Sequence, residues 1–142
     1  MKATAIIPSI LYNDATAAID WLCNAFWFEK HLIVPDDNGL IVHAQLTLGD
    51  IMIMIGSTQR QSDYTKLIKQ PADIGNFETQ SPYIVLAEND IDAHYKKAKE
   101  YGAKMVIELR IEDYGGKNYS CYDLEGHLWN FGSYNPWIAE HK

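Results

Sequence analysis

Apolar positions along this chain follow two periods, helical and then alternating, and that order occurs twice. After an apolar stretch at residues 5–11, Asn13 and Asp14 precede a segment in which Ala15, Ala18, Ile19, Leu22, Cys23 and Phe26 fall at i, i+3, i+4, i+7, i+8 and i+11. That spacing predicts a helix with one apolar stripe, and Asp14 is suited to cap it by accepting from its first unpaired amides. Three strand-like segments follow at 28–34, 40–48 and 51–57, with Gly49-Asp50 as a tight hairpin turn between the last two.

The arrangement returns 76 positions later. Asn89-Asp90 stand where Asn13-Asp14 stood, and Ile91, His94, Tyr95 and Ala98 occupy the places of Ala15, Ala18, Ile19 and Leu22. Gly102 predicts a left-handed helix end. Segments 104–111, 117–122 and 128–134 read as strands, with a turn at Gly115-Gly116 and a hairpin at Glu125-Gly126, again displaced by 76. One displacement shared by helix start and hairpin points to an internal repeat. The expected fold is therefore α+β over 1–142, two βαβββ units at about 4–57 and 81–135. Residues 58–80 connect them, with Pro71, Gly75 and a short helical pattern near 64–69. A connection this long is either a plain linker or a functional element, and the sequence leaves both readings open.

Composition narrows the partners. Apolar residues make up 47% and charged residues 22%, as in a folded domain. The net charge of −7, with no basic patch, argues against nucleic acid. It is compatible with a cationic ligand, although most acidic surfaces only confer solubility. No apolar run has the length of a bilayer span, and the first eleven residues are too short and too polar at Pro8-Ser9 for a secretion signal. The expectation is a cytoplasmic protein that does not enter a membrane. Cys23 and Cys121 have no neighbours at metal-ligand spacing and read as reduced, small apolar residues.

Several motifs resemble the glyoxalase/bleomycin-resistance/extradiol-dioxygenase (vicinal oxygen chelate) superfamily. Asp123-Leu124-Glu125-Gly126-His127-Leu128-Trp129 is similar to its D-P-x-G-[HN]-x-W hairpin. Tyr114-Gly115-Gly116-Lys117 resembles its Y-G-x-[RK] element, and His43-Ala44-Gln45-Leu46 with Gly49-Asp50 resembles H-A-x-[LM]…G-D. The resemblance runs from about residue 5 to 136. Two departures are Leu124, where the family has proline, and Trp27, where glycine is common after the first helix.

The resemblance implies two curved mixed sheets around a shared cavity, and a homodimer. Metal-dependent members place one ligand on each of strands one, four, five and eight, which carry over to Ile7, Met54, Tyr83 and Asn130. Displacement by 76 links Ile7 with Tyr83 and Met54 with Asn130. An aliphatic group, a thioether, a phenol and an amide are poor ligands for zinc, nickel or iron, and neighbours one position away are no better. The expectation is no metal and no cofactor, with the nearest likeness to the metal-free, bleomycin-resistance-like group. The cavity would be lined by Ile7, Ser9, Met52, Met54, Tyr83, Val85 and Asn130.

His43 is the candidate acid or base, in a polar row with Gln45 and Thr47 that reads equally as an exposed strand face. His94 reads as a packing residue, His127 as a turn hydrogen-bonder, and Asp14 and Asp90 as caps, while His31 and His141 carry no argument. The function implied is binding of a small organic ligand, such as a cationic drug, among the aromatic residues that form 12% of the chain and include Trp129 and Trp137. The alternatives are a metal-dependent glyoxalase-type lyase or isomerase with ligands elsewhere, and a metal-free acid–base enzyme using His43 or Tyr83.

Overall fold

Eight strands and two helices alternate in the computed structural model, which describes residues 1–138. The first unit is β1 (Ser9–Tyr12), α1 (Ala15–Phe26), β2 (Glu29–Pro35), β3 (Ile41–Leu48) and β4 (Ile51–Ser57). The second is β5 (Tyr83–Val85), α2 (Ile91–Glu100), β6 (Lys104–Ile111), β7 (Lys117–Tyr122) and β8 (Leu128–Gly132). The sheets have orders β1-β4-β3-β2 and β5-β8-β7-β6. In each, the first strand runs parallel to the last and the other pairs are antiparallel. This is the doubled α+β arrangement that the periodicity predicts. No helix among the described residues is long and apolar enough to cross a membrane.

The displacement of 76 holds for the helices and last strands but not for the first strands. Ser9 pairs with Met54, whereas Tyr83 pairs with Asn130. The structural counterpart of Tyr83 is therefore Ser9, and Ile7 precedes the sheet, 40% exposed. Two extra residues lie between β5 and α2, counted from Leu11 and Val85, the partners of Gly56 and Gly132. They also change the helix start. Asp14, with φ −119° and ψ 80°, accepts from the Ala17 amide at 3.1 Å. Asp90 has helical backbone angles, φ −104° and ψ −22°, and its side chain makes no capping bond. A cap requires the extended conformation that folds the carboxylate back onto the free amides, so the expected role holds for Asp14 alone.

The helices bury the predicted stripes against the sheets. Ala18, Leu22, Phe26, Ala44, Leu46, Ile53, Ile91, Ala98, Cys121 and Phe131 are all buried. Phe26 also crosses the seam between units, its ring centroid 5.1 Å from Trp129 and 4.9 Å from Phe131. His94 is buried beside it. The Phe26 carbonyl can only accept, so His94 Nε2–H donates to it at 2.9 Å and Nδ1 accepts from the Tyr119 hydroxyl at 2.7 Å. Both cysteines are free, and burial pushes the Cys121 thiol up to about 12.

A second seam contact uses the signature hairpin. Asp123 accepts from the Tyr12 hydroxyl at 2.6 Å and Trp129 Nε1 at 2.9 Å through Oδ2, and from the Glu125 and His127 amides through Oδ1. Glu125 reaches the other unit and accepts from the Asn13 and Asp14 amides at 2.6 and 2.9 Å. His127 Nε2 donates to the Leu11 carbonyl at 3.0 Å, the structural hydrogen bond expected of it. The motif thus ties the β7–β8 turn to the start of α1.

The connection is fastened rather than loose. Gln70, 5% exposed, donates to the Leu11 carbonyl at 2.9 Å, and Glu78 accepts from the Leu128 amide at 3.2 Å. The helical pattern near 64–69 forms only a 3-10 turn, Thr65–Leu67, in which no residue is buried. Without an apolar face to bury, a single helical turn has nothing to extend it.

Trp27 has a physical account. It ends α1 at φ 67°, the left-handed conformation that explains glycine at this place in relatives. Its ring lies 4.0 Å beneath Lys97 Nζ of α2, a cation–π contact that offsets part of the strain. Trp27→Ala keeps the strained backbone and loses the contact, whereas Trp27→Gly relieves the strain. The glycine variant is expected to be the more stable of the two by about 1 kcal/mol in urea unfolding. The reverse order would mean that the backbone angle does not govern this position.

Candidate functional site

Each sheet has one face covered by helices and one left open. In the first sheet the inward residues of β3 and β4 are Ala44, Leu46, Ile53 and Ile55, so His43, Gln45, Thr47, Met52 and Met54 point outward. Ser9 lies beside Met54 and Gln45 across from it. In the second sheet Tyr119, Cys121, Trp129 and Phe131 point inward, leaving Asn118, Ser120, Tyr122, Leu128, Asn130 and Tyr83 on the open face.

The second face is hollowed into a cleft of about 570 Å³, within the range of ligand sites. Tyr83, Ile107, Ser120 and Asn130 form its floor on the sheet, and Tyr114, Tyr134 and Pro136 from the flanking loops complete it. Asn130 is fixed at both ends of its amide. Nδ2 donates to the Pro82 carbonyl at 3.0 Å and to the Ser81 hydroxyl, and Oδ1 accepts from Ser120 at 2.7 Å. Tyr83 donates to the Tyr134 carbonyl at 2.7 Å, and its ring covers Gly132, where any β-carbon would collide with it. Burial raises the Tyr83 phenol above its ordinary value, which keeps it a neutral donor. Tyr114 and Tyr134 meet edge to face at 5.0 Å, and Tyr114 accepts from Asn118 Nδ2 at 2.9 Å. Among the described residues no charged side chain lines the cleft.

On the first face, His43 Nε2 lies 2.9 Å from Gln45 Oε1, and Gln45 Nε2 lies 2.9 Å from His31 Nδ1. The amide oxygen can only accept and the amide nitrogen only donate. His43 therefore carries its proton on Nε2, and Nδ1 of His31 is an acceptor. The polar row of His43, Gln45 and Thr47 follows the alternation, while His31 joins it through the irregular pairing between Lys30 and Leu32.

The residues singled out from the sequence separate into two groups. Tyr83 and Asn130 are register partners in the cleft, and Val85 lies one pleat further along the same strand without lining it. Ser9, Met52, Met54 and His43 share the first face, and Ile7 lies before the strand. No residue of the first unit lines the cleft, because the units meet through α1 and α2 rather than through their open faces. Asn118, Ser120, Tyr114, Tyr134, Ile107 and Pro136 were missed. The alternation of β7 already placed Asn118 and Ser120 opposite Tyr119. Ile107 enters through the irregular β6–β7 pairing that sets it beside Ser120, and Tyr114, Tyr134 and Pro136 depend on how loops return to the sheet. His141 lies outside the described residues.

The donor set does not fit the metal that the family's metal-dependent members bind. The register-matched positions hold the hydroxyl of Ser9, the thioether of Met54, the phenol of Tyr83 and the amide of Asn130. The last two are already engaged with the chain itself. No cluster of three His, Cys, Asp or Glu side chains suited to a metal ion occurs among the described residues.

Compared with known proteins, residues 5–131 match the family model described as Glyoxalase/Bleomycin resistance protein/Dioxygenase superfamily. An uncharacterized protein of Mycobacterium bovis is 28% identical over 128 residues, covering 90% of this chain and 82% of the relative. An uncharacterized protein of Mycobacterium tuberculosis has the same identity, covering 90% and 73%. Among solved structures, TioX from Micromonospora sp. ML1 superposes with a TM-score of 0.67 at 27% identity, covering 92% of this chain and 98% of that one. The fosfomycin resistance protein FosX of Listeria monocytogenes superposes with a TM-score of 0.68 at 14% identity, covering 96% and 98%, a likeness of fold alone.

Proposed function

Because this chain belongs to the Glyoxalase/Bleomycin resistance protein/Dioxygenase superfamily, we propose that it binds a small organic ligand on the open face of its second sheet, without the usual metal centre. The observation that carries this reading is the uncharged, tyrosine-walled cleft of about 570 Å³ over Tyr83 and Asn130. Tyr114 and Tyr134 offer rigid ring surfaces with few rotatable bonds, which suits a flat ligand. Asn130 and Ser120, held by hydrogen bonds, serve as fixed polar anchors. The described lining carries no charge, so attraction of a cationic drug would come from the overall charge of −7 acting at a distance.

The reading includes a homodimer. Each open face exposes apolar side chains, Leu32 and Val34 on the first sheet and Val85 and Ile107 on the second. The first face of one copy, with His43 and Met54, would roof the cleft of the other. Both free thiols suit a reducing compartment such as the cytoplasm.

Calorimetric titration tests the binding with two probes: bleomycin, a cationic aromatic glycopeptide, and para-hydroxybenzamide, a neutral single ring. Saturable heat is expected from at least one, weakened about tenfold in Tyr114→Ala. Tyr114 is 59% exposed, so this variant leaves the core untouched. A native chain that takes up neither probe, or a Tyr114→Ala chain that binds as well as the native one, overturns the reading. Light scattering during size exclusion reports the dimer in the same preparation.

A further inference from the structure

The connection between the units returns along the second sheet and walls off a second hollow. Residues 76–81 stand on one side of it and Tyr122 and Leu128 on the other, around about 290 Å³. Tyr122 and Leu128 are cross-strand partners on the same face as Ser120 and Asn130, one pleat further along β7 and β8. Ser81 borders both spaces. Hollow and cleft are thus consecutive stretches of one trough.

The wall is built, not incidental. Glu78 Oε1 accepts from the Leu128 amide at 3.2 Å and lies 3.2 Å from His127 Nδ1, so the one carboxylate in the hollow is already engaged. At the far end Asn130 holds the Pro82 carbonyl at 3.0 Å. Asn76 adopts φ 66° and donates from its amide to the Pro71 carbonyl at 2.7 Å, a reversal that carries the chain into Phe77. Phe77 is 72% exposed at the mouth of the hollow, without an aromatic partner among the described residues.

We propose that this hollow is a second subsite of the ligand trough, taking an aromatic or branched apolar arm of a ligand whose polar ring lies over Tyr83 and Asn130. Phe77 is the residue that selects for the arm. The inference rests on the ligand reading given above and adds the shape of the ligand. The chemistry of the two stretches divides the work. The cleft offers an amide and hydroxyls, whereas the floor of the hollow is a tyrosine ring and a leucine side chain, which reward apolar burial. Its volume suits one ring rather than a complete ligand. An arm that reaches it would cover Phe77, whose exposed ring is otherwise left to water.

The test compares para-hydroxybenzamide with its N-benzyl derivative by calorimetry on the full chain. The benzyl compound is expected to bind the native chain about tenfold more tightly, the gain from partly burying one ring. Phe77→Ala is expected to cancel that preference by weakening the benzyl compound alone, while Phe77→Leu restores part of it. The amide resonances of Tyr122 and Leu128 should shift with the benzyl compound and not with the parent. Equal affinity of the two probes for the native chain overturns the subsite while leaving the cleft reading intact, as does a Phe77→Ala chain that keeps the preference. Binding of the benzyl compound alone, with shifts at Tyr122 and Leu128, supports the subsite and overturns the cleft as the primary anchor. If neither probe binds, the subsite falls, and the cleft reading falls with it when bleomycin gives no heat either.

Discussion

Replacing Asp123 by alanine is expected to lower the unfolding free energy by about 4 kcal/mol, and the melting temperature by roughly 10 °C. Asp123 is 6% exposed and receives four donors, the Tyr12 hydroxyl, Trp129 Nε1 and the amides of Glu125 and His127. Alanine leaves all four without an acceptor, two of them beneath the surface, and an unmet buried donor costs more than a made bond contributes. Burial and the neighbouring carboxylate raise the Tyr12 phenol well above its ordinary value, so it remains a donor at every relevant pH. Tyr12→Phe removes one donor along with its bond and should cost only about 1 kcal/mol. Thermal unfolding followed by circular dichroism separates the two. An Asp123→Ala chain as stable as Tyr12→Phe would show that the carboxylate does not hold the seam. The expectation also assigns the aspartate and tryptophan of the signature hairpin a mechanical role, since neither reaches the cleft.

The second large effect is a dependence on pH. Burial lowers the His94 pKa from 6.5 to about 4, although its bond to the Phe26 carbonyl acts the other way. Between those values the unfolded chain binds a proton at this ring and the folded chain does not, so acid favours unfolding. The contribution of His94 is complete above pH 6.5 and is lost as the pH falls through about 4, for a change on the order of 3 kcal/mol. Carboxylates titrate in the same window, so the comparison is with His94→Gln, whose amide can still donate to Phe26 and accept from Tyr119. Urea unfolding between neutral pH and the acid end of that window should show the native chain losing stability faster than the variant. Parallel profiles would mean that His94 is not held neutral by the fold.

Most of the architecture was open to sequence reasoning because it rests on local periodicity. The stripe from Ala15 to Phe26 reports which side of a helix avoids water. The alternation of His43, Gln45 and Thr47 against Ala44 and Leu46 reports the two sides of a strand. Strands at 51–57, 104–111 and 117–122 needed nothing more. The candidate site was legible only in part. Tyr83 and Asn130 were both named, as positions carried over from the family resemblance, and the displacement of 76 linked Asn130 with Met54. Their pairing with each other emerges only in the β5–β8 ladder.

What the sequence could not determine depends on contacts between distant segments. Ile7 was paired with Tyr83 on the assumption of one constant displacement, but two additional residues before α2 move the register to Ser9. Hydrogen-bonded ladders set register, and the length of a turn is not encoded in periodicity. The same insertion deprives Asp90 of its cap. The cleft over the second sheet is lined by the second unit alone, whereas α1 and α2 pack against each other and Phe26, His94 and Phe131 are buried together. The connection at 58–80 was undecided as sequence, since a polar segment looks the same whether free or fastened. Only the fold brings Glu78 to Leu128 and Gln70 to Leu11, and so makes a wall of it. By itself the sequence determined the repeated βαβββ units and the poor metal-ligand character of the paired positions, because both follow from residue type and local spacing. Register, the Asp123 seam and the trough over the second sheet were decided by tertiary structure, where the energy of a polar group depends on which partner the folded chain brings to it.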